Sequence, residues 1–195
     1  MTKIALITGA GSGIGQACAL ALADAGWSLT LCGRRLQRLE GTCETARAKG
    51  AEAIAIEADV GDADAVARLF AEVEARFGRL DLLFNNAGTG APPKPLEDLT
   101  LDEWRRVVDT NLTGAFLCTQ AAVRAERLVR IQDALNALEP IDREVLALRH
   151  FEQLSPAETA AALDLKPDAA SKRYIRALKR LKQALAEMPG GLEAL

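Results

Sequence analysis

The feature that most constrains the fold of this chain is a change of pattern about two-thirds of the way along it. Before Arg124, short β-rich runs alternate with stretches of helical spacing, and after it only helical spacing continues. Alternating strands and helices predict βαβ units with a parallel sheet, whereas helices joined by short breaks predict an all-α segment. No linker marks the change, so the helix from about Leu101 to Arg124 is predicted to run on into residues 125–138.

The predicted fold class is therefore α/β followed by all-α, in two domains. Residues 1–124 are predicted to form a parallel sheet of about four strands with flanking helices, and residues 125–195 to form four helices. The predicted strands are Lys3–Thr8, Leu29–Cys32, Ala53–Ala58 and Leu80–Phe84. In the second domain, Pro140 begins a helix, Ser155 begins a short capped one, and Pro167 opens the last.

The net charge of −3 hides a local excess of positive charge. Between Lys166 and Lys182, seven basic residues stand against Asp168 alone. Such a concentration is typical of a surface that binds a polyanion. The alternative is that some of these cations only solvate a helix face.

Cysteine spacing and hydropathy exclude other classes of protein. The four cysteines form no CxxC pair and have no histidine at ligand spacing, so we expect reduced, mostly buried thiols and no metal. No apolar run approaches the roughly 20 residues that span a bilayer, and the N-terminus lacks the pattern of a signal peptide. We therefore expect no membrane partner and a cytoplasmic location.

A glycine-rich segment lies between the first predicted strand and the helix after it. Its sequence is TGAGSGIG, over residues 8–15. Glycines let the backbone turn tightly and approach a pyrophosphate, which the free N–H groups and positive end of the following helix then bind. The segment therefore predicts a cradle for a dinucleotide.

Four motifs in this order and spacing resemble the short-chain dehydrogenase/reductase family over about residues 1–124. They are the TGxxxGIG pattern that ends at Gly15, Asp59-Val60, Asn85-Asn86-Ala87-Gly88, and Asn111. The resemblance implies a partial Rossmann sheet that binds a nicotinamide dinucleotide. It implies a cofactor site made of Gly9, Ser12, Gly13, Ile14 and Gly15 around the pyrophosphate, Asp59 and Val60 at the adenine, and Asn86, Ala87 and Gly88 along the adenosine ribose.

The end of the second strand indicates the type of nucleotide. An acidic residue at that place would bind the ribose 2′-OH of NAD, but here Cys32 and Gly33 are followed by Arg34 and Arg35. Two guanidinium groups suit the 2′-phosphate of NADP, so NADP is the predicted cofactor and NAD the less favoured one. The alternative is that both arginines are solvated side chains at the start of a helix.

The family's catalytic residues have no counterpart at the expected spacing. The family's reaction needs a serine, and a tyrosine and a lysine four apart on a helix. Tyr174 is the only tyrosine, and Leu178 stands four residues after it, so only Asn111 remains of the catalytic set. We expect no hydride transfer. Without the family's later strands, Leu80–Phe84 would be an open apolar edge through which copies of the chain could self-associate.

Residues from about 127 to 185 resemble region 4 of sigma-70 family factors, of the extracytoplasmic-function type. The residues that carry the likeness are ALNALEPIDREVLALR over 134–149, LSPAETA over 154–160 and ASKRYIRALKRL over 170–181. The resemblance implies a helix-turn-helix whose last helix recognises promoter −35 DNA, with RNA polymerase as a further partner. Asp164 stands where the family more often has glycine. Because region 2 has no counterpart, we do not expect a complete sigma factor.

The predicted DNA contacts lie mainly on the last helix, because the second helix of such a motif enters the major groove. Ser171, Lys172 and Arg173 are candidates for groove contacts. Arg176, Lys179 and Arg180 are candidates for phosphate contacts, and Arg143 could add another from the second helix.

The leading hypothesis is a chimera that binds double-stranded DNA through its second domain and carries a truncated dehydrogenase nucleotide-binding half. The first alternative is an NADP-binding, oxidoreductase-like protein. The second is a fusion, natural or engineered, in which neither ligand binds. The substrate, the DNA sequence and the oligomeric state do not follow from the sequence.

Overall fold

The structure, a computed structural model, describes residues 2–186 and divides the chain into two compact units, Met1–Glu126 and Arg127–Leu195. The predictions for residues 187–195 lie outside the described part. In the first unit the elements are β1 (Ile4–Thr8), α1 (Gly13–Asp24), β2 (Ser28–Gly33), α2 (Leu36–Ala48), β3 (Ala53–Glu57), α3 (Ala63–Phe77), β4 (Leu82–Phe84), a 3₁₀ turn (Leu96–Asp98), α4 (Leu101–Val108) and a π-helical turn (Asp109–Thr113). Then follow α5 (Gly114–Asn136), α6 (Pro140–His150), α7 (Pro156–Ala162) and α8 (Pro167–Ala186).

The first unit is built on a parallel four-stranded sheet in the order β3-β2-β1-β4, so the predicted α/β fold is confirmed. All five residues of β1 are buried, as are the first five of β2, because helices cover both faces of these strands. β4 is an edge strand, as the sequence predicted, and its Leu82 is exposed. It is shorter than predicted. Asp81 instead precedes the strand and accepts a hydrogen bond from the backbone N–H of Ile4.

Two apolar layers enclose the sheet. On one face, Ile7 and Leu31 pack with Leu39 of α2 and with alanines of α1, where small side chains let the helix approach closely. On the other face, Leu6 packs with Leu69 of α3 and with α5. The carboxyl ends of the strands therefore meet at one edge of a rigid three-layer frame.

One helical run extends from Leu101 to Asn136 and is interrupted only by the π-helical turn. It begins at Thr100, which forms a capping box with Glu103. The boundary between the two units falls inside α5, between Glu126 and Arg127. The prediction that a helix runs across the change of pattern is confirmed.

The second unit, from Arg127 on, consists of helices joined by short turns over its described residues, with no strand among them. Its core is small. Leu138, Leu146 and Ala177 are buried there, and Leu135, Tyr174, Leu178 and Leu181 pack against them. Ser155 caps α7 through the predicted capping box with Glu158. Asp164 has a φ of 52°, so it occupies the left-handed conformation in the turn before α8, which explains why glycine is common there.

None of the helices within residues 2–186 is both long and apolar enough to cross a membrane.

Candidate functional site

The first candidate site is an open cleft of about 590 Å³ at the carboxyl ends of β1, β2, β3 and β4. Parallel sheets bind ligands at this edge because the loops that follow neighbouring strands converge there. The cleft is lined by Gly9, Gly11, Ser12, Gly33, Arg34, Arg35, Leu39, Ala58, Asp59, Val60, Asn86, Ala87, Gly88 and Thr110.

Two glycines bring the backbone segments of this cleft together. Gly9 has a φ of 68°, and a Cβ there would lie 2.9 Å from the Cα of Ala87. A Cβ at Gly15 would lie 2.6 Å from the carbonyl oxygen of Gly9 and 2.5 Å from Nδ2 of Asn86. Since real Cβ atoms do not approach other atoms so closely, both positions require glycine. The floor of the cleft is therefore exposed backbone rather than side chains.

The N-terminus of α1 contributes the free donors of the cleft. Ser12 is the N-cap residue of this helix, and its side chain makes no capping hydrogen bond. The first N–H groups of a helix have no partners within the helix, and they carry the positive end of its dipole. Because Gly11 and Ser12 line the cleft, these donors suit the pyrophosphate of a dinucleotide.

A hydrogen-bond network fixes the loop after β4 to the end of β1. The hydroxyl of Thr8 accepts hydrogen bonds from the backbone N–H groups of Asn86 and Ala87, each 2.9 Å long. The Asn86 amide donates in return to the carbonyls of Thr8 and Gly9, at 3.0 and 3.3 Å. Thr8 is almost fully buried. The wall of the cleft formed by residues 86–88 is thus held in place by hydrogen bonds to the end of β1.

Charged side chains stand at the end of the cleft formed by the loops after β2 and β3. Nη1 of Arg34 lies 3.8 Å from Oδ2 of Asp59, and both side chains are about half exposed. The other oxygen of Asp59 accepts a hydrogen bond of 3.0 Å from the N–H of Gly61. Arg35 also lines the cleft. The two arginines predicted to bind a 2′-phosphate therefore lie together beside the residue predicted to face the adenine.

Asn111 lies in the π-helical turn and holds the loop beyond Gly88. Its Oδ1 accepts a hydrogen bond of 2.8 Å from the N–H of Thr89, and its Nδ2 donates one of 3.0 Å to the carbonyl of the same residue. The preceding residue, Thr110, is buried and lines the cleft. Asn111 is therefore a support for the cleft wall.

Most of the predicted cofactor residues line the cleft, but Gly13, Ile14 and Gly15 do not. Gly15 acts by allowing close packing behind the cleft, and Ile14 is exposed by 71 %. Sequence reasoning missed five lining residues, among which Gly33 and Ala58 lie at strand ends and the others are Gly11, Leu39 and Thr110. The first two directly follow or end predicted strands, so the rule that ligands bind at carboxyl ends of parallel strands could have found them.

Three of the four thiols of the first unit lie in its interior, and that of Cys18 is half-buried. Burial raises the pKa of Cys32 to about 12 and the pKa values of Cys43 and Cys118 to about 11, so these groups stay protonated. Over residues 2–186, no three His, Cys, Asp or Glu side chains are grouped so that they could hold a metal ion. Tyr174 packs in the core of the helical unit, where the guanidinium of Arg149 lies 5.1 Å from its ring centre.

The second candidate site is the outer face of α8. Lys172, Ile175 and Lys179 recur at a spacing of three and four residues, which places them on one face of the helix, with Arg176 beside them. All four are exposed, and Lys172 forms an exposed ion pair of 2.7 Å with Asp168. Exposed pairs of this kind hold their partners weakly, so Lys172 remains accessible to another anion. Ile175, exposed by 65 %, was not predicted and is an apolar group of the kind that contacts thymine methyls.

The other predicted DNA residues are placed differently. Arg173 donates a hydrogen bond of 2.6 Å to Oδ1 of the buried Asp142 and one of 3.2 Å to Glu139. Nη1 of Arg180 lies 3.9 Å from Oδ2 of Asp142. Arg143 donates to the side-chain oxygen of Asn136 at 3.0 Å.

Ser171 is half-buried near the start of α8. Of the predicted cations on α8, Lys172, Arg176 and Lys179 are thus the exposed ones that, within the described residues, form no ion pair with the buried Asp142.

Comparison with known families separates the chain at the same place. A family model described as short chain dehydrogenase matches residues 3–130. The chain belongs to the short-chain dehydrogenase family. A second family model, described as Sigma-70, region 4, matches residues 128–181, so a sigma-70 region 4 segment follows the dehydrogenase segment. The predicted combination of the two families is confirmed.

Curated relatives within the dehydrogenase family match less than two thirds of this chain. The 3-oxoacyl-(acyl-carrier-protein) reductase of Staphylococcus aureus is 44 % identical over 124 residues, which are 63 % of this chain and 50 % of the relative. The chain thus spans about half the length of the curated relatives it matches.

Solved structures of the family show the same partial coverage. A metagenomic short-chain oxidoreductase in complex with NADP matches with a TM-score of 0.63 and 33 % identity, over 66 % of this chain and 58 % of that one. NAD⁺-bound xylitol dehydrogenase matches with a TM-score of 0.62 and 37 % identity, over 68 % and 49 %. Family members that resemble the first unit therefore include both NADP-bound and NAD-bound proteins.

Proposed function

We propose that this chain binds double-stranded DNA through α8, as a promoter −35 type reader. The observation that carries the proposal is the row of Lys172, Ile175 and Lys179 on the exposed face of the second helix of a helix-turn-helix. Cations at both ends of this row suit phosphates, and the apolar side chain between them suits a base edge in the major groove. The sigma-70 region 4 match supports the same face as the one presented to DNA.

The test is a fluorescence-anisotropy titration with duplexes of −35 type and scrambled duplexes at several salt concentrations. Each phosphate contact contributes about 0.9 to the slope of log affinity against log salt, so the Lys172→Ala, Lys179→Ala double variant should lose close to two units of slope. Arg68→Ala, which removes an exposed cation of α3, is the matched control and should leave the slope unchanged. Salt-insensitive or absent binding by the unmodified chain would refute the proposal.

A second proposed activity is binding of NADP in the cleft of the first unit. Arg34 and Arg35 at its adenosine end, together with the uncapped N-terminus of α1, support this activity. The residues present fit the group, since Gly9 keeps the floor of the cleft open to a pyrophosphate and Arg34 can exchange Asp59 for a 2′-phosphate. Charge-assisted hydrogen bonds of about 1.5–3 kcal/mol favour NADP over NAD by roughly 10- to 100-fold.

Calorimetric titration with both nucleotides tests this activity. The Arg34→Ala, Arg35→Ala double variant should bind NADP no more tightly than NAD, and Arg38→Ala is the neighbouring control outside the cleft lining. Equal affinity of the unmodified chain for both nucleotides would contradict the role of the arginines. We propose binding without hydride transfer, because Tyr174 belongs to the helical unit. Oxidation of NADPH by the chain with a carbonyl substrate would overturn that part.

Two further partners follow from the same features. We infer that RNA polymerase is a partner through the region 4 segment, which a pull-down with purified core enzyme would test. We also infer self-association at β4, whose outer edge and exposed Leu82 border a groove against α5. Analytical ultracentrifugation should show a concentration-dependent mass that Leu82→Lys removes. A monomer at all concentrations would contradict it.

A further inference from the structure

Asp142, the third residue of α6, is the one fully buried charged side chain among residues 2–186. Its Oδ1 accepts a hydrogen bond of 2.6 Å from Arg173. Its Oδ2 has no hydrogen-bond partner and lies 3.9 Å from Nη1 of Arg180. A buried carboxylate without these cations would be strongly unfavourable, so α6 and α8 must keep the relation that brings them together.

Both arginines lie on the inner half of α8. Arg173, Ala177 and Arg180 follow one another at intervals of four and three residues, which places them on one face, and Ala177 is completely buried. The exposed row of Lys172, Ile175 and Lys179 lies on the opposite half, because its members are about 140–160° around the helix from the buried Ala177. A rotation of α8 by one residue, about 100°, would separate Asp142 from its partners and turn the row away from its present direction.

We propose that Asp142, Arg173 and Arg180 form a positioning cluster that fixes the rotation of α8 about its axis, and that Arg173 does not contact DNA. This inference rests on the proposed DNA-binding function of α8. The apolar contacts of the small core are not directional, so they leave the rotation of the helix weakly defined. The hydrogen bond from Arg173 to Asp142 is directional and buried at its acceptor end, so it selects one rotation.

The surroundings of Arg173 argue against a phosphate contact. Its side chain is only 28 % exposed, and two carboxylates, those of Asp142 and Glu139, lie within hydrogen-bond distance of it. Hydrogen bonds to Asp142 and Glu139 raise the pKa of Arg173. The positive charge of Arg173 is therefore already engaged by these two carboxylates. A phosphate that approached this guanidinium would also approach two negative charges, whereas Lys179 has no carboxylate partner within the part of the chain that the structure describes.

The experiment is a double-mutant cycle with DNA binding and thermal unfolding as its two readouts. The single variants are Arg173→Met and Asp142→Leu, and the double variant combines them. Each single variant removes the buried hydrogen bond and leaves the remaining charge with a weaker partner, Arg180 for Asp142 or Glu139 for Arg173, so we expect each to lower the melting temperature and to weaken binding. The double variant keeps the net charge of the chain and replaces the pair by apolar groups, so it should regain most of the melting temperature and bind DNA within about threefold of the unmodified chain.

Lys172→Met is the matched control, since it removes a cation from the neighbouring position on the outer face. It should reduce the salt slope of binding by about one unit and leave the melting temperature unchanged. The double variant should keep the full slope. A double variant that loses one unit of slope and regains no affinity would show that Arg173 contacts DNA, and the inference would be wrong.

Failure of the proposed function and failure of this inference give different results. If the unmodified chain does not bind DNA with salt sensitivity, the proposed function fails, and the unfolding data still decide the inference. Coupling between the two residues would support the cluster. It would appear as a double variant that loses less stability than the two single variants lose together. Additive losses would overturn it even if DNA binding is found.

Discussion

The two units of the chain fill their interiors in different ways. In the first unit, the sheet lies between two apolar layers, and the buried polar side chains are hydroxyl groups, of which Thr8 and Thr42 form hydrogen bonds with residues distant in the sequence. In the second unit, a few aliphatic residues around Leu146 and Ala177 are joined by the ion pair of Asp142. The contrast shows that a large apolar interior defines its own geometry by packing, whereas a small helical one gains definition from a directional polar contact.

Replacing one buried leucine in each core by alanine should give the largest difference in stability between the two units. Leu69→Ala in α3 and Leu146→Ala in α6 each remove a buried side chain, at a cost of about 2–5 kcal/mol. We expect Leu146→Ala to unfold the helical unit at physiological temperature, because its small core has little stability to lose, and Leu69→Ala only to lower the melting temperature of the first unit.

Calorimetry records the unfolding of both units, whereas tryptophan fluorescence reports on the first unit, because Trp27 and Trp104 both lie there. The two measurements together therefore assign each transition to a unit. A single shared transition that both substitutions shift equally would show that the units do not unfold separately.

A pair of helical glycines provides the next test. Gly15→Ala in α1 would place a Cβ 2.6 Å from a backbone oxygen, and we expect a loss of about 1–3 kcal/mol together with loss of NADP binding. Gly41→Ala in α2 meets no atom within 4 Å, and it should stabilise the first unit by about 0.5–1 kcal/mol. Chemical denaturation measures both. Equal effects at the two positions would contradict the account of the cleft floor.

Each unit has a helix that begins with a capping box, so the cost of losing a cap can be compared between the two units. Thr100→Ala at α4 and Ser155→Ala at α7 should each cost about 1 kcal/mol. The fall in melting temperature should be larger for Ser155→Ala, because a given free energy shifts the melting temperature of a smaller unit further. Glycine in place of Thr100 or Ser155 should cost much less stability than alanine, because glycine is well tolerated at an N-cap.

The smallest expected effect concerns pH at the same two caps. Hydrogen bonds from Lys94 and then from Thr100 lower the pKa of Glu103 to about 2, and those from Ser155 lower the pKa of Glu158. Because the folded pKa is depressed, the contribution of Glu103 is fully present above its ordinary value near 4.5 and is lost as pH falls toward 2. A carboxyl NMR titration should place its midpoint near 2, and Lys94→Ala should raise it. An unshifted midpoint would contradict the capping geometry.

Local signals in the sequence were enough to predict much of this structure. The strand runs, the glycine after β1, the prolines at the starts of α6 and α8, and the Ser155 cap act over a few residues. Each is found where it was predicted, except that β4 is shorter by two residues. The unusual Asp164 is also explained locally, since its left-handed turn needs only its own backbone.

Contacts between distant residues could not be predicted in the same way. The partners of Arg173 lie more than 30 residues away, so the sequence presented it as one more cation of a basic helix. Thr110 reaches the cleft only because the helical run before α5 widens into a π turn, for which the sequence holds no clear signal. Contacts of this kind depend on how elements pack, and periodicity does not report packing.

The π turn of Asp109–Thr113 also makes this stretch sensitive to its length. Removing one residue there would close the wide turn into a regular α-helix, which needs one residue fewer for about the same rotation, so the residues of the turn could not all keep their present positions. Thr110 could then no longer reach the cleft while Gly114 stays against Val60, where a Cβ would lie 2.6 Å from Cγ2. Point substitutions on the exposed side of this turn should be tolerated, and single-residue insertions and deletions should not.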